Sequence, residues 1–284
     1  MSLNNNNKIC IHNYLNKCET GSLPPGLTDF LRGTIALYEF SKKYNYKLYI
    51  NKTTNPVFKY FEDCEYYIND ADSIKGTFEL LSQAKSEFTT HILEKLFQNG
   101  FNFSVITNCL LKNLFVEDID ADCRNFIIKI LQPTQIINDK IEQVLNELKI
   151  CQDYNAIHIR FGDIFLCQHK LDYNILNQID STIKCIINQS DKPVILVSDS
   201  ELMSKELLKN NHSLHYWDNK KIHIGFLFNY SEDAILDTIV DFFILSKSKT
   251  IHTININSTF VTTFSPLIAK IYNIENIIYQ LTNA

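Results

Sequence analysis

The chain has 284 residues, with 27 Lys and Arg against 32 Asp and Glu, and so carries a net charge of −5. That mild acidity excludes a basic surface built to package DNA or RNA. With 45% hydrophobic and 21% charged residues the chain can bury a real core, which excludes intrinsic disorder, and its length suits two domains better than one.

The eight cysteines form no C-x-x-C pair and several sit inside apolar runs, so zinc and redox motifs are not expected. The first thirty or so residues lack the basic start and apolar stretch of a signal peptide. No apolar run approaches the ~18 residues of a membrane span. The expectation is a cytoplasmic protein with no membrane span and no nucleic-acid partner, a secretory lumen staying open if an anchor precedes this chain.

In chain order, Lys8 to Tyr14 reads as a first strand, with Ile9 and Ile11 alternating against Cys10 and His12. A loop with Gly21, Pro24, Pro25 and Gly26 follows. Leu27, Phe30, Leu31, Ile35 and Tyr38 then recur at helical spacing, and Lys47 to Ile50 reads as a second strand. This β-loop-α-β order is that of a doubly wound unit, whose ligands bind at the carboxyl ends of the strands. From about Lys75 to Leu148 the spacing is mostly helical, interrupted at Pro133. The expected domain boundary lies at 149/150, giving residues 1–149 and 150–284.

Beyond it the alternation is clearer. Ala156 to Arg160 is a predicted strand, Ile175 to Ile187 a helix, Pro193 to Val197 a buried strand, and a short helix starts at Glu201. Glu232 to Ser246 is a long helix, and Thr250 to Asn257 another strand. Repeated β then α implies a parallel sheet covered on both faces. Two such halves facing a cleft describe an α/β, GT-B-like architecture of two Rossmann-like domains.

The stretch from His158 to Asp163 carries the most chemistry. On a strand, His158 and Arg160 share one face while Ile157 and Ile159 share the other. Arg160, Gly162 and Asp163 would then put a forked cation, a flexible backbone and a carboxylate at the strand's carboxyl end. The planar guanidinium suits a phosphate, although an Arg–Asp pair closing a βα loop explains the same residues. After the next strand, Ser198 and Glu201 have capping-box spacing, which leaves Asp199 unexplained; a carboxylate there could accept two N–H bonds from a guanine edge. The hydroxyls from Asn257 to Thr263 follow a third strand, where they either make an anion site at a helix start or merely cap the helix. Ser265 as cap with Pro266 at the first helical position is a second possible start.

His158-x-Arg160-x-Gly162-Asp163, then Ile195-Leu196-Val197-Ser198-Asp199-Ser200, then Asp237 to Ser246 leading to Asn257-Ser258-Thr259-Phe260, resemble in order and spacing the GDP-fucose-dependent fucosyltransferase superfamily. That group spans protein O-fucosyltransferases, α1,6-fucosyltransferases and the nodulation fucosyltransferase. Pro25 to Gly33 resembles its N-terminal glycine loop. The resemblance implies a two-domain inverting enzyme that transfers fucose from GDP-fucose to a glycan or protein hydroxyl and needs no metal or other cofactor. By matching positions it implies that His158 and Asp199 contact guanine, that Arg160 holds the diphosphate, and that Ser258, Thr259 and Phe260 complete the phosphate site. Gly26 lies in the glycine loop. Asp29 falls where some relatives place a polar residue near the sugar, and Asp29 and Asp163 are the two candidates for the base, Asp29 being favoured. Two departures stand out: Phe161 where several relatives carry a second Arg, and Thr28 where Gly is common. Other readings of the same residues are a transferase for another GDP-sugar and a catalytically silent GDP-sugar-binding protein.

Overall fold

The structure, a computed structural model, describes residues 8–14, 26–69, 77–80, 87–108, 119–161, 173–219, 232–256 and 262–281. They fall into two compact units that divide between Thr134 and Gln135.

The first unit contains β1 (Lys8–His12), α1 (Leu27–Tyr44), β2 (Tyr46–Asn51), β3 (Tyr67–Ile68), β4 (Thr77–Leu80), α2 (Glu87–Asn99), β5 (Phe103–Thr107) and α3 (Ala121–Ile130). Its sheet has the order β3-β2-β1-β5-β4 with every pairing parallel. α1 forms because its apolar residues, Leu27, Phe30, Leu31, Ile35 and Leu37 among them, all bury. Asp29 in its first turn and Lys42 and Lys43 in its last complement the helix dipole, and Asn45, at φ 57°, closes it in the left-handed conformation. The helix runs so near β5 that a Cβ on Gly33 would stand 1.9 Å from the Thr107 carbonyl oxygen. Only glycine permits that approach.

The second unit contains α4 (Gln135–Glu147), β6 (Asn155–Ile159), α5 (Tyr173–Gln189), β7 (Val194–Ser198), α6 (Glu201–Asn210), β8 (Leu214–Tyr216), α7 (Glu232–Ser246), β9 (Thr250–Asn255), α8 (Phe264–Tyr272) and β10 (Glu275–Gln280). Its sheet, in the order β10-β9-β6-β7-β8, is also wholly parallel. Ile157, Ile159 and Phe161 pack with Ile179, Ile183, Met203 and Leu207 on the face covered by α5 and α6. His158 points to the opposite face, where it meets α8. The alternation expected along this strand therefore holds.

The expected boundary at 149/150 moves back to Pro133–Gln135. α4 belongs with the second unit because its stripe of Ile137, Ile141 and Val144 is buried and it packs on α7. The middle of the chain also holds strands that its helical spacing conceals. β5, with the sequence FSVIT, is buried at all five positions because it lies between β1 and β4, so no polar alternation marks it. β4 and β10 are edge strands and β8 is three residues long, and none of the three was anticipated. Among the described residues, no helix is long and apolar enough to cross a membrane.

Candidate functional site

In the second sheet the chain runs from β6 outward through β7 to β8, then returns to place β9 on the other side of β6. The strand order reverses between β6 and β9. In open parallel sheets, ligands bind outside the carboxyl ends of the strands at such a reversal, because the two flanking loops diverge there. The residues that meet at this point are His158, Arg160 and Phe161 from β6, Asp199 from the end of β7, and Asn255 and the start of α8 from β9.

Arg160 is partly buried, its Nε is enclosed without a hydrogen-bond partner, and it makes no ion pair among the described residues. An enclosed guanidinium donor left unmade is costly, and an anion at this edge would satisfy it. Phe161 buries its side chain in the α5–α6 core, so the position beside Arg160 is given to packing. Its backbone N–H is held by Asp199 Oδ1 at 2.7 Å. Asp199 thus braces the end of β6, and a guanine contact falls to what its carboxylate offers beyond that bond.

His158 is buried, with Nδ1 2.8 Å from Ser265 Oγ and its ring 5.4 Å from that of Phe264. α8 begins at Phe264 after Thr263, which gives no side-chain cap. Instead Asn255 Oδ1 accepts from the Thr262 N–H at 3.3 Å, and Thr262 Oγ1 from the Phe264 N–H at 3.2 Å. Ser265 is therefore not the cap that its Pro266 neighbour suggested; its hydroxyl is turned inward to His158. Ser198 and Glu201 likewise do not make the expected capping box. α6 is capped by Ser200, which accepts from Met203 N at 3.4 Å, while Ser198 Oγ accepts from Ser200 N at 3.1 Å.

Gly162, Asp163, Ser258, Thr259 and Phe260 lie outside the described residues. Asp29 and Gly26 belong to the first unit, at the amino end of α1. Gly26 is the N-cap, and its carbonyl accepts from Phe30 N at 3.0 Å. Asp29 Oδ1 is bonded to Arg32 Nη1 at 2.8 Å, one turn along the same helix. Arg32, Ser265, Thr253 and Asn276 are the residues that sequence reasoning missed. Their signal is spatial: the register sets Thr253 beside His158 on neighbouring strands, which no local spacing reveals.

Among the described residues, no group of three or more His, Cys, Asp or Glu side chains is placed to hold a metal ion. Asp120 caps α3 by accepting from Cys123 N at 2.6 Å. A cavity of about 190 Å³ lined by Tyr38, Ser41, Lys42, Tyr49 and Tyr66 contains none of the expected site residues.

No protein-family profile and no curated protein matches this chain. Solved structures do. The NodZ α1,6-fucosyltransferase soaked with GDP-fucose aligns with a TM-score of 0.59 at 13% identity, over 94% of this chain and 92% of its own. A mutant of Arabidopsis thaliana FUT1 in complex with GDP aligns at 0.62 and 10% identity, over 98% and 72%. POFUT1 in complex with GDP-fucose aligns at 0.53 and 10% identity, over 98% and 99%. The chain has the two-sheet α/β fold of these GT-B-like enzymes.

Proposed function

We propose that this chain is an inverting glycosyltransferase that moves fucose from GDP-fucose to a hydroxyl of a glycan or protein, without a metal ion. The observation that carries the reading is the partly buried Arg160, whose Nε has no hydrogen-bond partner among the described residues, at the strand-order reversal of the second sheet. Its support is the fold shared with structures that hold GDP or GDP-fucose.

In this reading the Arg160 fork binds the diphosphate and stabilises the charge that GDP gains as it leaves. The start of α8 adds the N–H groups that the first turn of any helix leaves without intrahelical partners, joined by Ser258, Thr259 and Phe260. His158 and Asp199 receive guanine. Asp29 takes the proton from the attacking acceptor hydroxyl, with Arg32 holding its carboxylate in place. Asp163 supports Arg160.

The test is release of GDP from GDP-fucose, with and without a fucosyl acceptor, in excess EDTA. Turnover should persist. Asp29→Asn should lower it by about 10²-fold or more while leaving GDP affinity within about twofold. Abolition of turnover by EDTA with recovery on added Mn²⁺ would end the metal-free proposal, and near-normal turnover of Asp29→Asn would remove Asp29 as base.

A further inference from the structure

The cavity of about 190 Å³ lies wholly in the first unit, between the last turns of α1, the first half of β2 and the approach to β3, with Tyr38, Ser41, Tyr46, Leu48, Tyr49 and Tyr66 in its lining. It is remote from Asp29. Ser41 stands about 18 Å along α1 from that carboxylate, at the helical rise of about 1.5 Å per residue.

Two sets of polar groups in the lining are unused. Ser41 is 3% exposed and its Oγ has no hydrogen-bond partner among the described residues. A helical hydroxyl ordinarily turns to the carbonyl four residues back, as Thr34, Thr182, Ser204 and Thr238 do at 2.8–3.0 Å. Ser41 does not. The second set lies on β2. The Ile50 N–H donates to the Tyr66 carbonyl at 2.8 Å, so the backbone of Leu48, two residues back, faces the same side, whereas β3 starts only opposite Ile50. The Leu48 N–H and carbonyl therefore face the cavity side of β2 with no strand beside them, and enclosed polar groups left unmade are costly.

The walls select the kind of ligand. Phe126 of α3 stacks on Tyr38 with ring centres 4.1 Å apart and meets Tyr66 edge-on at 4.7 Å, so ring surface is in place before a ligand arrives. Lys42 already lies over the Tyr38 ring at 5.6 Å and Lys129 over Tyr66 at 5.8 Å, which turns away a cation. The same two lysines are paired with Asp122 and Glu65, and Lys47 at the rim is exposed to water, so the lining offers an anion little. The space is smaller than the about 300–1,000 Å³ of pockets for drug-sized molecules, and so suits one ring.

We infer that this cavity is a subsite for one neutral pyranose ring of a saccharide. The apolar C–H face of the ring lies on tyrosine, and its hydroxyls, each both donor and acceptor, meet Ser41 Oγ and the Leu48 backbone. Hydroxyls radiate around a pyranose and match polar groups that come from a helix and a strand, whereas a flat base carries its polar edge in one plane. The subsite needs no GDP-sugar and lies beyond the fucose-transfer reading.

The test is saturation-transfer NMR on the full chain with the methyl pyranosides of glucose, galactose, fucose and N-acetylglucosamine. At least one should bind, with saturation strongest on its C–H protons, and excess GDP should not displace it. Ser41→Ala and Tyr49→Ala should each weaken that binding about tenfold. Ser41→Ala should also keep or raise the urea midpoint of the ligand-free chain, because the hydroxyl it removes bonds nothing among the described residues and alanine is the better helix former. Where Tyr49→Ala fails to fold, Ser41→Ala decides alone. No saturation transfer to any of the four, binding undiminished in Ser41→Ala, a lowered midpoint in that variant, or displacement by GDP or by adenine would overturn the inference. Glycoside binding that Ser41→Ala weakens, in a chain that transfers no fucose, would instead refute the fucose-transfer reading and leave the subsite standing.

Discussion

Each sheet carries a buried histidine on its central strand, and the two have different partners. His12 ends β1, where the first sheet reverses its strand order between β1 and β5. Its Nε2 faces the Thr107 carbonyl at 3.2 Å, its Nδ1 faces Thr34 Oγ1 at 3.0 Å, and Phe30 stacks on its ring at 4.3 Å. Both ring nitrogens of His12 are thus held by groups of the first unit, the Thr34 hydroxyl in turn donating to the Phe30 carbonyl at 2.9 Å. The nearby acid and base of α1 are spent on each other, as Asp29 and Arg32. At the second reversal, Arg160 has no such partner among the described residues. Topology alone therefore marks two edges as equivalent, and each encloses an arginine Nε without a hydrogen-bond partner, on Arg32 and on Arg160; the ion pair to Asp29, which Arg160 lacks among the described residues, tells them apart. In the proposed function the anion goes to the second edge.

The largest effect that sharpens this contrast belongs to Gly33, whose missing side chain lets α1 lie on the Thr107 backbone. Gly33→Ala would put carbon 1.9 Å from a carbonyl oxygen with no flexible group to yield. Stability should fall by about 3 kcal/mol or more, read from the urea midpoint. An unchanged midpoint would show that the first edge is not tightly closed.

The next effect comes from acid. Burial lowers the His12 pKa from its ordinary 6.5 to about 3, against a smaller opposing pull from the Thr107 carbonyl. The unfolded chain therefore binds a proton that the folded chain refuses. The contribution is fully present above pH 6.5 and declines as the pH falls from there toward about 3, by an amount on the order of a few kcal/mol. His12→Asn should flatten the pH dependence of the urea midpoint across that window; an unaltered slope would mean that other groups set it.

Asp199 gives the smallest change and separates brace from reader. Asp199→Asn keeps a carbonyl oxygen for the Phe161 N–H, so stability should shift by less than about 1 kcal/mol. The preference for GDP over UDP, measured by competition, should weaken about tenfold, because the amide has one acceptor oxygen where the carboxylate has two. An undiminished preference would leave Asp199 a brace alone.

Much of this was legible in the sequence where one element decides its own form. The helix from Glu232 to Ser246 was readable at both ends, and the strand bearing His158 was readable with the two faces correctly sorted. What stayed hidden depends on distant neighbours. β5 is buried on both faces and shows no alternation, and α4 joins the second unit through side chains of α7 that lie some hundred residues on. The site followed the same rule. Arg160 and His158 were marked by their place on one strand, but Ser265 resembled a cap because a Pro follows it, and only the packing of the helix that carries it brings its hydroxyl to His158. Asp199 looked unassigned after the serines near it, because its partner is a backbone N–H 38 positions away.

The central claim is that the second edge binds a nucleotide sugar through Arg160. The direct measurement is calorimetric titration of GDP-fucose and GDP into the wild-type chain, Arg160→Lys and Arg32→Lys. An ammonium keeps the charge but cannot reproduce the two parallel bonds of a guanidinium, so Arg160→Lys should lose about 1.5–3 kcal/mol of binding while Arg32→Lys binds as the wild type does. Unchanged GDP binding by a folded Arg160→Lys chain would contradict the account.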